Sequence, residues 1–212
     1  MSEFKKASVK KAIFIVFLVL LIDQVSKIYV KTHFRLNEHV LILGQDWARI
    51  HFTENKGAAW GVQLNKFLTF LSEDQAKIIL TVFRLFAISG IGYWLYISIK
   101  NKAKPIFIVA VSLIFAGALG NIIDSVLYGI IFDSSSYNHV ATLFPKSGGY
   151  SSLFHGKVVD MLYFPMWDGN LPSWLGGKHF TFFNAIFNVA DAAISIGVAL
   201  LILFNKEVFS RK

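Results

Sequence analysis

Long apolar blocks separated by short basic clusters dominate this chain. Residues 12–30, 76–99, 105–123 and 185–204 are nearly unbroken hydrophobic runs, each close to the ~20 residues that carry a helix across ~30 Å of hydrocarbon. Apolar residues fill these blocks instead of recurring on one helical face, so lipid is the expected solvent. Between the first two blocks, residues 39–43 and 48–53 flank Gly44-Gln45-Asp46 and predict two strands joined by a turn. The stretch after the third block is rich in Ser, Gly, Tyr, Phe and Trp and carries no periodicity that assigns an element. The expected fold class is therefore membrane all-α with a small external β element and four transmembrane helices. Residues 1–212 form one domain on this reading, with external segments at about 31–75 and 124–184, and neither an internal repeat nor a low-complexity tail interrupts it.

Composition agrees with a membrane chain, since 55% of its 212 residues are hydrophobic. The net charge of +8 could point to nucleic acid, but its placement points elsewhere. Lys5, Lys6, Lys10 and Lys11 precede the first block, Lys100, Lys102 and Lys104 join the second to the third, and Lys206, Arg211 and Lys212 follow the fourth. The positive-inside rule puts these ends and both termini in the cytoplasm and the long connections outside. No nucleic-acid partner is expected. The basic start and apolar residues 12–22 also resemble a signal peptide, yet the chain runs on through Asp23-Gln24-Val25-Ser26-Lys27 without a small-residue cleavage site, so the segment reads as a retained helix. The absence of cysteine removes disulfides, thiolate metal sites and cysteine nucleophiles.

Topology turns the sequence into a depth map. Asp23 lies past the midpoint of the outward first helix, Asn121 and Asp124 at the outer end of the third, and Asn188 and Asp191 in the first two turns of the fourth. Asp160, between apolar neighbours in the second external segment, is the loop carboxylate best placed to join them. Charges within a membrane helix cost a few kcal/mol and usually face a protein interior or a wet cavity. Asp191, with no adjacent cation, reads as functional. Asp124 reads first as a tie between a helix end and a loop, and Asp23 either pairs with Lys27 four residues on or belongs to the site. Arg84 either snorkels to headgroups or pairs with a carboxylate. Two desolvated carboxyls share a proton and supply an acid and a base, enough for peptide hydrolysis without metal or cofactor. No His-Glu-x-x-His, Gly-x-Ser-x-Gly or phosphate-loop string competes. The rival is a non-enzymatic proton- or cation-handling protein, and a scaffold whose carboxylates serve only packing is the third reading.

Five strings narrow this choice: Asp23-Gln24-Val25-Ser26-Lys27, Thr53-Glu54-Asn55-Lys56-Gly57-Ala58-Ala59-Trp60-Gly61, Gly117-Ala118-Leu119-Gly120-Asn121-Ile122-Ile123-Asp124, Val158-Val159-Asp160, and Phe187-Asn188-Val189-Ala190-Asp191. In this order they resemble the lipoprotein signal peptidase family, signal peptidase II. The resemblance implies an aspartyl endopeptidase of the bacterial inner membrane with its site facing outward. It would remove signal peptides from diacylglyceryl-modified prolipoproteins, acting as a monomer with membrane lipid around it. By the same resemblance Asp160 and Asp191 are the catalytic dyad, and Asp23, Asn55, Gly57, Asn121, Asp124 and Asn188 bind substrate or support the dyad. Two departures stand out. Ser125 occupies the place where the family usually has Arg, and the stretches from Asp124 to Asp160 and from Asp160 to Asp191 are longer than in a typical member.

Overall fold

The computed structural model describes residues 3–55 and 72–206. It is mostly helical. Helix α1 spans Glu3–His33, α2 Glu73–Lys100, α3 Pro105–Ile131 and α4 Val189–Leu203. The first three are long and apolar enough to cross a membrane, whereas α4 is an apolar helix of 15 residues. Its start differs from the expected helical run from 185, because Ile186–Phe187 extend as a strand against Leu162 and Tyr163. Asn188 then caps α4.

Helices α1 and α3 run toward a four-stranded antiparallel sheet, and α2 and α4 run away from it. The sheet is ordered β1 (His39–Ile42), β2 (Gln45–Asn55), β3 (Val158–Tyr163), β6 (Ile186–Phe187). The predicted hairpin is thus β1–β2, turned at Leu43 and Gly44, both with positive φ. Strands β4 (Trp167–Asn170) and β5 (His179–Phe182) form a separate hairpin between β3 and β6. Where sheet meets helices, Val30, Phe52, Tyr128, Phe132, Val159 and Met161 pack into a buried cluster. A second cluster of Ala12, Leu95, Phe107, Ile108 and Val111 closes the opposite end of the bundle.

Helix α3 continues two turns beyond the expected end of its apolar block at 123, to Ile131. Val126, Leu127, Ile130 and Ile131 prolong the apolar run, and residues 150–156 fold back along these turns. Ser151 N donates to Gly129 O at 2.8 Å, Phe154 N to Val126 O at 3.1 Å and Gly156 N to Ser125 O at 2.9 Å. Asp124 therefore sits inside the helix, not at its end.

Small residues bring α3 and α4 together, as is usual where lipid removes the hydrophobic drive for helix association. A Cβ on Gly117 would lie 2.2 Å from Ala190 O and 2.7 Å from Ile194 Cγ1, and one on Gly197 would lie 2.7 Å from Ala110 O. Gly117→Ala should therefore destabilise the protein by about 1–3 kcal/mol, because the obstructing atom is backbone. Gly90→Ala on α2, with nothing within 4 Å, is the control and should be neutral or stabilising. Thermal unfolding in detergent compares them, and equal midpoints would contradict the close approach.

Candidate active site

Three helices meet at a buried ammonium. Lys27 lies one turn beyond Asp23 on α1, with its side chain fully buried, 2.9 Å from Asp23 Oδ2 and 2.8 Å from Asp124 Oδ2. It also donates to Asn121 Oδ1 at 3.0 Å. The two carboxylates also reach other elements: Asp23 Oδ1 accepts from Ala190 N at 2.9 Å, at the start of α4, and Asp124 Oδ2, besides Lys27, accepts from Val159 N on β3 at 3.3 Å. Gln24 Nε2 donates to Asp124 Oδ1 at 3.0 Å while Tyr128 donates to Gln24 Oε1 at 3.1 Å. Gly120 leaves room for this, since a Cβ there would meet Asp23 Oδ2 at 2.7 Å. Among the described residues no three His, Asp or Glu converge as a metal ligand set.

Beside this cluster two asparagines link a second pair of carboxyls. Asn121 Nδ2 donates to Asp191 Oδ1 at 2.8 Å. Asn188 Nδ2 faces Asp160 Oδ1 at 2.7 Å, Asn121 Oδ1 at 3.1 Å and Val159 O at 3.3 Å. The backbone joins in through a capping box, with Asp191 N donating to Asn188 Oδ1 at 2.9 Å and Asn188 N donating to Asp191 Oδ2 at 3.3 Å. The N-cap of α4 thus orients Asp191 and, through its side-chain amide, reaches Asp160 on β3. Asparagine is suited to this because one side chain carries both donor and acceptor.

The two carboxyls are not equivalent. Asp160 is 4% exposed, while Asp191 is only half-buried. Burial and then the neighbouring Asp191 charge push the Asp160 carboxyl up to about 7, against the pull of hydrogen bonds from Asn188 and Asn55. One group that keeps its proton near neutral pH beside another presenting both oxygens as acceptors is an acid–base pair of the kind that activates water.

Asp23, Asn55, Asn121, Asp124, Asp160, Asn188 and Asp191 are thereby drawn into one connected polar network, and Gly57 lies outside the described residues. Asp124 ties helix to strand from within α3, where the sequence led us to expect a tie between a helix end and a loop. Arg84 is close enough to feel the charge of Asp191. Ser125, where Arg was expected from the resemblance, is buried and bonds back to Asn121 O at 3.0 Å. Sequence reasoning treated Lys27 as a partner for Asp23 alone and missed its second carboxylate. It also missed Gln24. The signal available was the i, i+4 spacing of Asp23 and Lys27 inside an apolar run, where an isolated lysine demands a buried counter-charge.

Residues 15–205 match the family model described as Signal peptidase (SPase) II. The chain is 43% identical over 198 residues to a lipoprotein signal peptidase of Porphyromonas gingivalis, covering 89% of this chain and 80% of that one. It is 34% identical over 195 residues to a lipoprotein signal peptidase of Amoebophilus asiaticus, covering 89% and 75%. A bacterial membrane enzyme solved by the in meso method at 2.3 Å superposes with a TM-score of 0.58 at 27% identity, covering 96% of this chain and 92% of that one.

Proposed function

Because the chain belongs to the signal peptidase II family and so removes signal peptides from prolipoproteins as an aspartic endopeptidase, we propose that Asp160 and Asp191 are its reacting carboxyl pair. Asp23, Asn55, Gly57, Asn121, Asp124 and Asn188 support them. The asymmetry of the pair carries the assignment: Asp160 is buried and held protonated up to about 7, beside Asp191, whose two oxygens accept from Asn121 Nδ2 and Asn188 N.

Their roles follow from that asymmetry. Asp191 takes a proton from a water whose oxygen bonds to the scissile carbonyl carbon, while Asp160 gives its proton to the carbonyl oxygen. The resulting gem-diol collapses as Asp191 protonates the departing nitrogen, the C–N bond breaks and one hydroxyl returns a proton to Asp160. Neither a covalent intermediate nor a metal enters this scheme. Because the acid must be protonated, kcat/KM should fall as pH rises through about 7, approaching tenfold per pH unit well above it. Steady-state rates between pH 5 and 9 check this, and a profile that does not decline up to pH 9 is incompatible with Asp160 as the acid.

The membrane setting belongs to the same proposal. All four apolar helices cross the bilayer, both termini are cytoplasmic, and residues 1–212 form a single domain that works as a monomer in the bacterial inner membrane with its site outward. Lys5, Lys6, Lys10, Lys11, Lys100, Lys104 and Lys206 all fall at the end of the bundle away from the sheet, which supports this orientation. The substrate is the diacylglyceryl-modified prolipoprotein, entering laterally. Its acyl chains supply affinity at about 0.8 kcal/mol per buried methylene. Ser98 and Ser112, at the end away from the sheet, bond back to Trp94 O and Ile108 O within their own helices, each at 2.6 Å, which favours a one-sided site over a proton or cation path. The deciding test offers lipidated and unlipidated prolipoprotein to purified protein in liposomes. Cleavage of the lipidated form alone is the expected result, and equal cleavage of both would remove the lipid requirement.

A further inference from the structure

A second buried ionic cluster, which this mechanism does not use, lies on the rear of the sheet. Lys31 in the last turn of α1 is fully buried and bonds Glu54 on β2 and Ser135 Oγ, the latter at 2.9 Å. Its Nζ lies 5.3 and 5.1 Å from the ring centroids of Phe132 and Tyr150. Lys157 Nζ reaches the other Glu54 oxygen at 2.8 Å and lies 5.2 Å from the Tyr150 centroid. Ser135 Oγ approaches Glu54 Oε1 at 3.0 Å, and Tyr150 Oη accepts from Lys157 N at 2.6 Å. Burial alone would raise the Glu54 carboxyl, but the two ammoniums hold it below the usual carboxylate range. One carboxylate therefore joins α1, β2 and the external segment after α3.

Strand geometry relates this cluster to the site. Side chains alternate along a strand, so Glu54 shares the rear face with Phe52, and with its cross-strand partner Val159, both in the buried cluster. Thr53 and Asn55 share the opposite face with their partners Asp160 and Val158. The β2–β3 register is irregular between Ile50 and Thr53, so the ladder near β1 does not by itself set the pairing of residues 53–55. A slip of one residue there would turn Glu54 toward Asp160 and Asn55 away from it. Buried ion pairs are weak sources of stability, and setting register is their best-attested use.

We propose that Glu54, gripped by Lys31 and Lys157, is a positioning residue that fixes the register of Thr53–Asn55 against Val158–Asp160 and so holds the Asn55 amide on the Asp160 carboxyl. This rests on the reading of Asp160 as a reacting group.

The test is a double-mutant cycle on cleavage of lipidated prolipoprotein in liposomes. Glu54→Gln should lower kcat by about 10- to 100-fold with KM little changed, the range expected for a small misplacement of a reacting group. In an Asn55→Ala background the same change should cost at most about twofold, because the amide it positions is gone. Lys157→Met, at a side chain 27% exposed, should show the same dependence on Asn55 with a smaller loss, and it decides the matter if Glu54→Gln does not fold. Equal losses in both backgrounds, or wild-type kcat in folded Glu54→Gln protein, overturn the positioning role. Asp160→Asn runs alongside: if it still cleaves, the underlying site reading has failed, whereas an inactive Asp160→Asn with an unaffected Glu54→Gln sinks the positioning proposal alone.

Discussion

Asp160→Asn and Asp191→Asn proteins should fold, bind lipidated prolipoprotein and fail to cut it, with kcat at least about 10³-fold below wild type, within the range for removing a positioned general acid or base. The amide introduced by Asp160→Asn can still accept from Asn188, so the network around the site keeps its shape while the transferable proton is lost. The same substitution should strengthen the fold at high pH. Asp160 is raised in the folded protein to about 7 from an ordinary 3.8, so the native state resists its ionisation while the unfolded chain does not. Wild-type stability is therefore full below about pH 4, declines as pH rises toward 7 and stays reduced above it. The displacement corresponds to at most about 4 kcal/mol. Asp160→Asn protein should match wild type at pH 4 and exceed its unfolding midpoint at pH 8. An active Asp160→Asn or Asp191→Asn enzyme would remove the dyad assignment, and a variant less stable than wild type at pH 8 would remove the electrostatic account of it.

Lys27→Met should be the most damaging single change to the fold. It removes the counter-charge from Asp23 and Asp124 together, both completely buried, and breaking a buried pair by deleting one partner costs about 3–5 kcal/mol. Asn121 also loses a donor, so activity should fall even in the folded fraction. Restoring neutrality with Asp23→Asn and Asp124→Asn in the Lys27→Met background should recover most of the stability, because the cost is the uncompensated charge and not the methionine. Unfolding midpoints in detergent measure both, and a Lys27→Met protein as stable as wild type would mean that the carboxylates are neutralised some other way.

The hydrophobic blocks and the Gly44 turn were legible because they depend on neighbours within a few residues. Hydropathy located the apolar helices, alternation located β1 and β2, and the carboxylates inside apolar runs marked where partners had to be found. The expected end of α3 was misplaced because a charge at Asp124 looks locally like an exit from the membrane. Its partner, Lys27, is almost a hundred positions away. The region after α3 was unreadable for the same reason, since residues 150–156 are held by backbone bonds to α3 and not by any pattern of their own.

By itself, then, the amino-acid sequence determined which segments are apolar, where the basic clusters that flank them fall and which ionisable groups must be housed. Only the tertiary structure decided that Lys27 serves two carboxylates, that Asn188 spans from a helix cap to Asp160, that Ile186–Phe187 join the sheet, and that Glu54 meets Lys31 and Lys157. The physical reason is range: helix and strand propensity act over one or two turns, whereas a buried charge is stabilised by whichever side chains the packing of distant segments brings within about 3 Å.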